Sequence, residues 1–154
     1  MVKNMVVGLR RATTADLASV VGLQHAAYAA NRAILGVEPL PLLADYAHIL
    51  ASMEVWLRAT ENHLDGVLIL KPRADDLLIW SIAIAPDVQQ QGIGRVLLDA
   101  AHRRATELGL DTLRLYTGTL LTDRVDGYLR YGFVIERIDE MPDRSVTHMV
   151  KRLP

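Results

Sequence analysis

An α/β fold of the mixed α+β kind, built as one domain over residues 1–154, is predicted by three observations. Strand-like and helix-like segments follow the order strand, two helices, three strands, helix, strand, helix, two strands, with no repeat, linker or low-complexity stretch between them. A nearly unbroken apolar run, Leu77-Leu78-Ile79-Trp80-Ser81-Ile82-Ala83-Ile84-Ala85, is closed by Pro86 and reads as a buried strand. The 51% hydrophobic content of 154 residues, with mildly positive mean hydropathy, suffices for one substantial core.

Each element has a local cause. Val6 to Arg11 reads as a first strand. Thr13 opens a capping-box-like Thr-x-x-Asp16, and the helix after it places Leu17, Val20, Val21 and Tyr28 on one face. Gly36 to Pro41, with two prolines, reads as a loop, and Leu42 to Ser52 as a second helix. Glu54 to Ala59 and Gly66 to Lys71 read as strands joined by the polar turn Glu61-Asn62-His63. Arg73-Ala74-Asp75-Asp76 turns the chain into the buried strand. A helix then runs from about Gly92 to Leu108, with Val96, Leu97, Ala100, Ala101 and Leu108 on its apolar face and Gly109 as its stop. A fifth strand spans Thr112 to Thr117, a helix Thr122 to Tyr131, and the last strands Phe133 to Ile138 and Val146 to Leu153.

The bulk properties narrow the function. A formal net charge of −1, with both signs interspersed, supplies no field for nucleic acid. The absence of cysteine excludes a disulfide scaffold, a cysteine nucleophile and a thiolate metal site. His25, His63, His102 and His148 have no metal-ligand spacing, so no metal is expected. The Met1-Val2-Lys3-Asn4-Met5-Val6-Val7 run is too short for the apolar part of a signal peptide, and no stretch reaches membrane-spanning length. The plain expectation is a cytoplasmic protein with no membrane partner.

The turn Gln89-Gln90-Gln91-Gly92-Ile93-Gly94-Arg95 carries the chemistry. A strand feeding a helix through glycines points backbone N–H groups outward, where the helix dipole adds partial positive charge. Such a turn suits a phosphate or pyrophosphate, although a tight connection without any ligand has the same look. It is not a P-loop, because Arg95-Val96 rather than Lys-Ser/Thr follows Gly94. Nor is it the dinucleotide fingerprint, which needs Gly or Ala where Leu97 stands.

What matches is Gln-x-x-Gly-x-Gly after Ile82-Ala83-Ile84-x-Pro86-Asp87, which resembles the acyl-CoA loop of the GNAT superfamily of N-acyltransferases. Downstream, Tyr128 stands four residues before Gly132-Phe133, a second GNAT-like spacing, after the strand-like Leu113-Arg114-Leu115-Tyr116-Thr117. Leu-Tyr-Thr and Leu121-Thr122-Asp123 are similar to a small bacterial subgroup. Further likeness lies in Arg10-Arg11-Ala12-Thr13, Asp16-Leu17, Pro39-Leu40-Pro41 and Asp45-Tyr46, so it extends over essentially the whole chain.

The resemblance implies a single GNAT-like domain whose central, mostly antiparallel sheet holds a parallel pair, the fourth and fifth strands, that splay apart between flanking helices. It implies acetyl-CoA as cosubstrate and no metal. The backbone of Ile82, Ala83 and Ile84 would hold the pantetheine arm. The loop residues Gln89, Gln90, Gln91, Gly92, Ile93, Gly94 and Arg95 would hold the pyrophosphate. Tyr128 matches the tyrosine that protonates the departing thiolate, a role a phenol suits near neutral pH; a core tyrosine packing beside Gly-Phe is the other reading. Tyr131 reads as packing. For a general base, the strand before the loop offers only Trp80 and Ser81; Asp45, His48 and Glu54 border the usual acceptor channel, and His48 has the best-matched pKa. Gly118 and Arg124 stand where the subgroup carries asparagine, and Arg124 keeps a donor that suits a phosphate.

The leading expectation is an N-acetyltransferase moving an acetyl group directly from acetyl-CoA to a primary amine of a small molecule or peptide. A non-catalytic acyl-CoA-binding sensor and an unrelated nucleotide-binding protein are the alternatives. Proteins of this kind are commonly homodimers, though nothing in the sequence demands one.

Overall fold

The computed structural model describes residues 5–6 and 8–154. Val7, within the expected first strand, and Met1 to Asn4 of the N-terminal run lie outside the described residues. In chain order the strands are β1 (Met5–Val6), β2 (Leu9–Arg11), β3 (Glu54–Ala59), β4 (Leu64–Pro72), β5 (Leu77–Ile84), β6 (Thr112–Gly118), β7 (Val134–Glu140) and β8 (Ser145–Arg152). The helices are α1 (Leu17–Tyr28), α2 (Asn31–Leu35), α3 (Tyr46–Ser52), α4 (Ile93–Glu107) and α5 (Thr122–Tyr131), with short 3-10 turns at 14–16, 40–42 and 86–88.

Among the described residues one sheet runs β1-β2-β3-β4-β5-β6-β8-β7, and β5–β6 is its parallel pair. β4 supplies both faces of the core. Leu68 and Leu70 join Ile79, Leu97, Leu113, Phe133 and Met149 beneath α4, while Val67 and Ile69 join Val20, Leu23, Tyr46 and Ile49 beneath α1 and α3. Burial on both sides is why β4 and β5 read as continuous apolar runs rather than alternating ones. α4 lies close on β4: a Cβ added at Gly66 would sit 3.2 Å from Leu97 and 3.3 Å from Ile93. That close approach fixes where the helix begins.

The expected first strand is instead a hairpin, Met5 pairing with Arg10 and Val6 with Leu9 around Gly8 at φ 78°. The helix expected over 42–52 begins at Tyr46, because Asp45 caps it by accepting from the His48 N–H at 3.3 Å. The extra helix α2, five residues long and ended by Gly36, carries too little periodicity to be read from sequence. On α4 the buried stripe is Ile93, Leu97, Leu98, Ala100, Ala101 and Ala105; Leu108, placed there by periodicity, is 37% exposed past the helix end.

Candidate active site

The site starts from a misfit in the sheet. β4 and β5 pair Ile69 with Ser81 and then Leu70 with Ile79, so Trp80 is an extra residue, a β-bulge. The bulge puts two consecutive side chains on the α1 side: Trp80 packs in the cluster under α1, and Ser81 bonds to α1 side chains. At the same place the β5–β6 ladder ends. Its pairs are Leu77–Leu113, Leu78–Arg114 and Ile79–Leu115, although both strands continue. Beyond Ile79 the two strands part, and the facing edge of β5 loses its ladder partner.

A cavity of about 80 Å³ opens at this parting, lined by Ile79 to Ile82 of β5, Leu115 to Gly118 of β6, and Tyr128 and Arg124 of α5. An open cleft of about 660 Å³ adjoins it, lined in part by Ala83, Ile84, Gln89 and Gln90. Tyr28 and Arg124 line both. The cavity wall toward α1 is braced by a buried polar chain. The Gln24 Nε2 donates to the Tyr46 hydroxyl at 2.8 Å and the Ser81 hydroxyl at 3.0 Å. Tyr28 and Ser81 hydroxyls lie 2.9 Å apart, and the Tyr28 hydroxyl donates to the Ile82 carbonyl at 3.2 Å. Tyr46 donates to the Pro41 carbonyl at 2.6 Å, and burial pushes its phenol up to about 12. Gln24 was missed by sequence reading; the signal was a polar residue at the i+4 positions of a buried stripe, between Val20 and Tyr28.

The loop after β5 meets α4 at the mouth of the cleft. Gln90 at φ 65° and Gly92 at φ 81° both take the left-handed conformation, which curls the backbone around the helix start. The first helical bond runs from the Val96 N–H to the Gly92 carbonyl, 3.2 Å, so the N–H groups of Gly92, Ile93, Gly94 and Arg95 precede the ladder. Gln89, Gln90, Gln91 and Gly92 are exposed, whereas the Ile93 side chain anchors the loop in the core. The Arg95 guanidinium stacks over Tyr131, 5.4 Å from its centroid, and the Tyr131 hydroxyl bonds Asp99. An anion is well matched to such a turn.

α5 projects two side chains of one face into the parting, one helical turn apart. Tyr128 is half-buried, edge-on to Phe133 with centroids 5.9 Å apart. Burial pushes its phenol up, with the Arg124 charge pulling the other way. The Arg124 Nη2 donates to the Ile82 carbonyl at 2.7 Å, and its guanidinium lies 5.1 Å from the Tyr28 ring centroid.

Comparison with known proteins places this architecture. Residues 51–135, from the end of α3 into β7, match the family model described as an acetyltransferase (GNAT) domain. The chain belongs to the GNAT acetyltransferase family. The uncharacterized N-acetyltransferase YvbK of Bacillus subtilis (strain 168) is 34% identical over 79 residues, 51% of this chain and 51% of that protein. The chain thus aligns with about half the length of that curated relative. A GNAT family acetyltransferase from Elizabethkingia anophelis, solved with acetyl-CoA bound, superposes with TM-score 0.62 and 26% identity over 73% of this chain and 87% of that one. The PaiA N-acetyltransferase from Thermoplasma acidophilum, in complex with coenzyme A, shares the fold with TM-score 0.78 at 17% identity, covering 96% and 99%.

Several residues of the GNAT expectation fall elsewhere than the sequence suggested. Strand alternation sends Ile82 and Ile84 backbone groups toward the parting, while those of Ala83 turn to β4, opposite Val67. Ala83 is therefore removed from the backbone set. His48 is exposed on α3 and lines neither the cavity nor the cleft, because the turn capped by Asp45 directs the other face of α3, Tyr46 and Ile49, inward. Glu54 is held by Arg104 at 2.9 Å through both oxygens and by the Trp56 indole at 3.0 Å. Burial alone would raise its pKa, but those bonds hold the carboxyl below its ordinary value. Arg124 bonds the Ile82 carbonyl at the point where the strands part, and it lines the cleft together with Gln89 and Gln90 of the loop. At Gly118 an added Cβ would come within 2.7 Å of Leu35 of α2, so α2 fills the space an asparagine side chain would take.

Proposed function

We propose that this chain, working as one domain, transfers an acetyl group directly from acetyl-CoA to a primary amine. The observation that carries the reading is the end of the β5–β6 ladder at Ile79–Leu115, beside the Gln89–Arg95 loop and with Tyr128 lining the gap. The free N–H groups from Gly92 to Arg95 bind the diphosphate. The facing backbone of Ile82 and Ile84 takes the pantetheine arm as a strand would, after Arg124 and Tyr28 yield the Ile82 carbonyl.

In the reaction the amine nitrogen bonds to the thioester carbon and the carbon–sulfur bond breaks. Tyr128 gives its proton to the departing sulfur, and its phenolate takes the proton that the nitrogen sheds. Among the described residues the cavity lining contains no carboxylate or imidazole, so the amine reaches the thioester already neutral, having lost its first proton to water. A lysine-like amine with pKa near 10.4 is neutral in only about one molecule in 2,500 at pH 7. The same lack of a base favours the second reading, a sensor that binds acyl-CoA without turnover.

Incubation with acetyl-CoA and a panel of amines, read as free CoA thiol and by mass of the N-acetyl product, separates them. Thiol release tied to an amine supports the transferase. Acetyl-CoA binding by calorimetry with no release from any amine supports the sensor, and displacement of acetyl-CoA by ATP or NAD would point to neither.

A further inference from the structure

The charge around the cavity is one-sided. Among the described residues its lining holds two guanidinium groups, Arg124 and Arg144, and no aspartate, glutamate, lysine or histidine. Arg144 is already engaged: it pairs with Asp143 at 3.2 Å and donates to the Glu38 carbonyl at 3.1 Å, tying the β7–β8 turn to the segment after α2. Arg124 is different. Its Nη2 bond goes to a neutral carbonyl, Tyr28 covers one face, and none of the ion pairs among the described residues includes it.

A guanidinium carries five N–H donors in a fork that fits a carboxylate, and the partners of Arg124, the Ile82 carbonyl and the Tyr28 and Tyr128 hydroxyls, are all neutral. A cation half-buried among rings, with no counter-charge, is stabilised by a ligand that supplies one. The rest of the wall is apolar and aromatic, with Pro39, Leu40, Trp80 and Tyr116.

We propose that the acceptor is an amino-carboxylate: a primary amine on a compact apolar body whose carboxylate pairs with Arg124. This rests on the acetyl-transfer reading above. In an α-amino acid one carbon separates nitrogen from carboxylate, and Arg124 lies one helical turn before Tyr128 on α5. Anchoring at Arg124 therefore holds the nitrogen near the group that protonates the departing sulfur. The same positive charge disfavours the ammonium form, which helps a cavity without a base. Polyamines and aminoglycosides bring several cations and no anion, and the unpaired Arg124 guanidinium repels them.

The test compares kcat/KM, by thiol release, for L-leucine and L-phenylalanine, their amides, the decarboxylated amines isoamylamine and phenethylamine, and spermidine. The amino acids are expected to exceed their amides and decarboxylated partners by about tenfold or more, on the order of one charged hydrogen-bonded contact. Arg124→Gln is expected to lower the amino-acid value by about 10- to 100-fold and bring the ratio toward one. Arg124→Lys, which keeps the charge without the fork, is expected to retain part of the ratio. Should Arg124→Gln not fold, the wild-type ratio and Arg124→Lys decide the matter. Preference for spermidine or the decarboxylated amines, or an unchanged ratio in a folded Arg124→Gln, would overturn the proposal while leaving acetyl transfer standing. No thiol release from any amine would instead defeat the transferase reading, and this one with it.

Discussion

Ile79 and Leu115 are the last residues paired across the parallel β5–β6 ladder, and Trp80, immediately after Ile79, is the bulge against β4. The two features share a cause. An extra residue kinks and twists its strand, and here the kink lifts β5 away from β6 where the cavity opens. The site is therefore a consequence of register, and each residue around it has a testable part.

Tyr128→Phe is expected to lower kcat by about 100-fold, the lower range for a lost general acid, with little change in acetyl-CoA affinity. Burial raises this phenol above its ordinary value, so the acid is protonated across the neutral range. In the parent, kcat/KM should climb as the acceptor amine loses its proton and fall only at still higher pH, when the raised Tyr128 phenol ionises. The phenylalanine variant should lack that falling arm. Equal turnover at every pH would remove Tyr128 from the role.

Gly92 holds φ 81° with nothing within 4 Å of a built Cβ, so its requirement is conformational rather than steric. Gly92→Val is expected to introduce strain of roughly 1–2 kcal/mol and to pull the loop out of its curl. Calorimetry should then show acetyl-CoA binding weakened by at least about tenfold, some 1.4 kcal/mol. An unchanged Kd would count against the loop as the diphosphate site.

His48→Ala is expected to leave turnover within about twofold and stability within about 0.5 kcal/mol, as for exposed positions distant from a site. A large loss in kcat with a shifted pH profile would restore His48 as the base.

Gln24→Leu removes the hub of the polar chain behind the cavity while roughly keeping volume. The Tyr46 and Ser81 hydroxyls each lose a partner in a buried setting, so a loss of about 1–3 kcal/mol is expected in denaturant unfolding. A midpoint equal to the parent's would mean that Gln24 fills space and nothing more.

Where punctuation was strong, the sequence was legible. Gly109 and Gly132 mark the ends of α4 and α5, and α5 spans Thr122–Tyr131 as the pattern indicates. Four features left little trace. The bulge at Trp80 is silent because β5 is apolar on both faces, so no alternation exists to skip a beat. α2 is one turn long and has no side-chain cap. The pairing of Met5 with Arg10 depends on a turn that apolar periodicity does not encode. Arg124 showed only as an odd replacement, since its bond to Ile82 joins residues 42 positions apart.

The turn from Gln89 to Arg95 was legible because strand, glycines and helix are contiguous; the cavity wall was not, because its lining is gathered from α1, the segment after α2, β6 and the start of β8, far apart in the sequence. His48 illustrates the same limit. Its residue type suited a base, but α3 turns Tyr46 and Ile49 into the core and leaves His48 facing solvent.

The most direct measurement is a crystal structure of the protein with coenzyme A. Expected is the diphosphate on the N–H groups from Gly92 to Arg95, with the arm lying along Ile82 and Ile84 between β5 and β6 and its sulfur beside Tyr128. Coenzyme A bound elsewhere, with Arg124 still closing on the Ile82 carbonyl and the strands' parting unfilled, would contradict it.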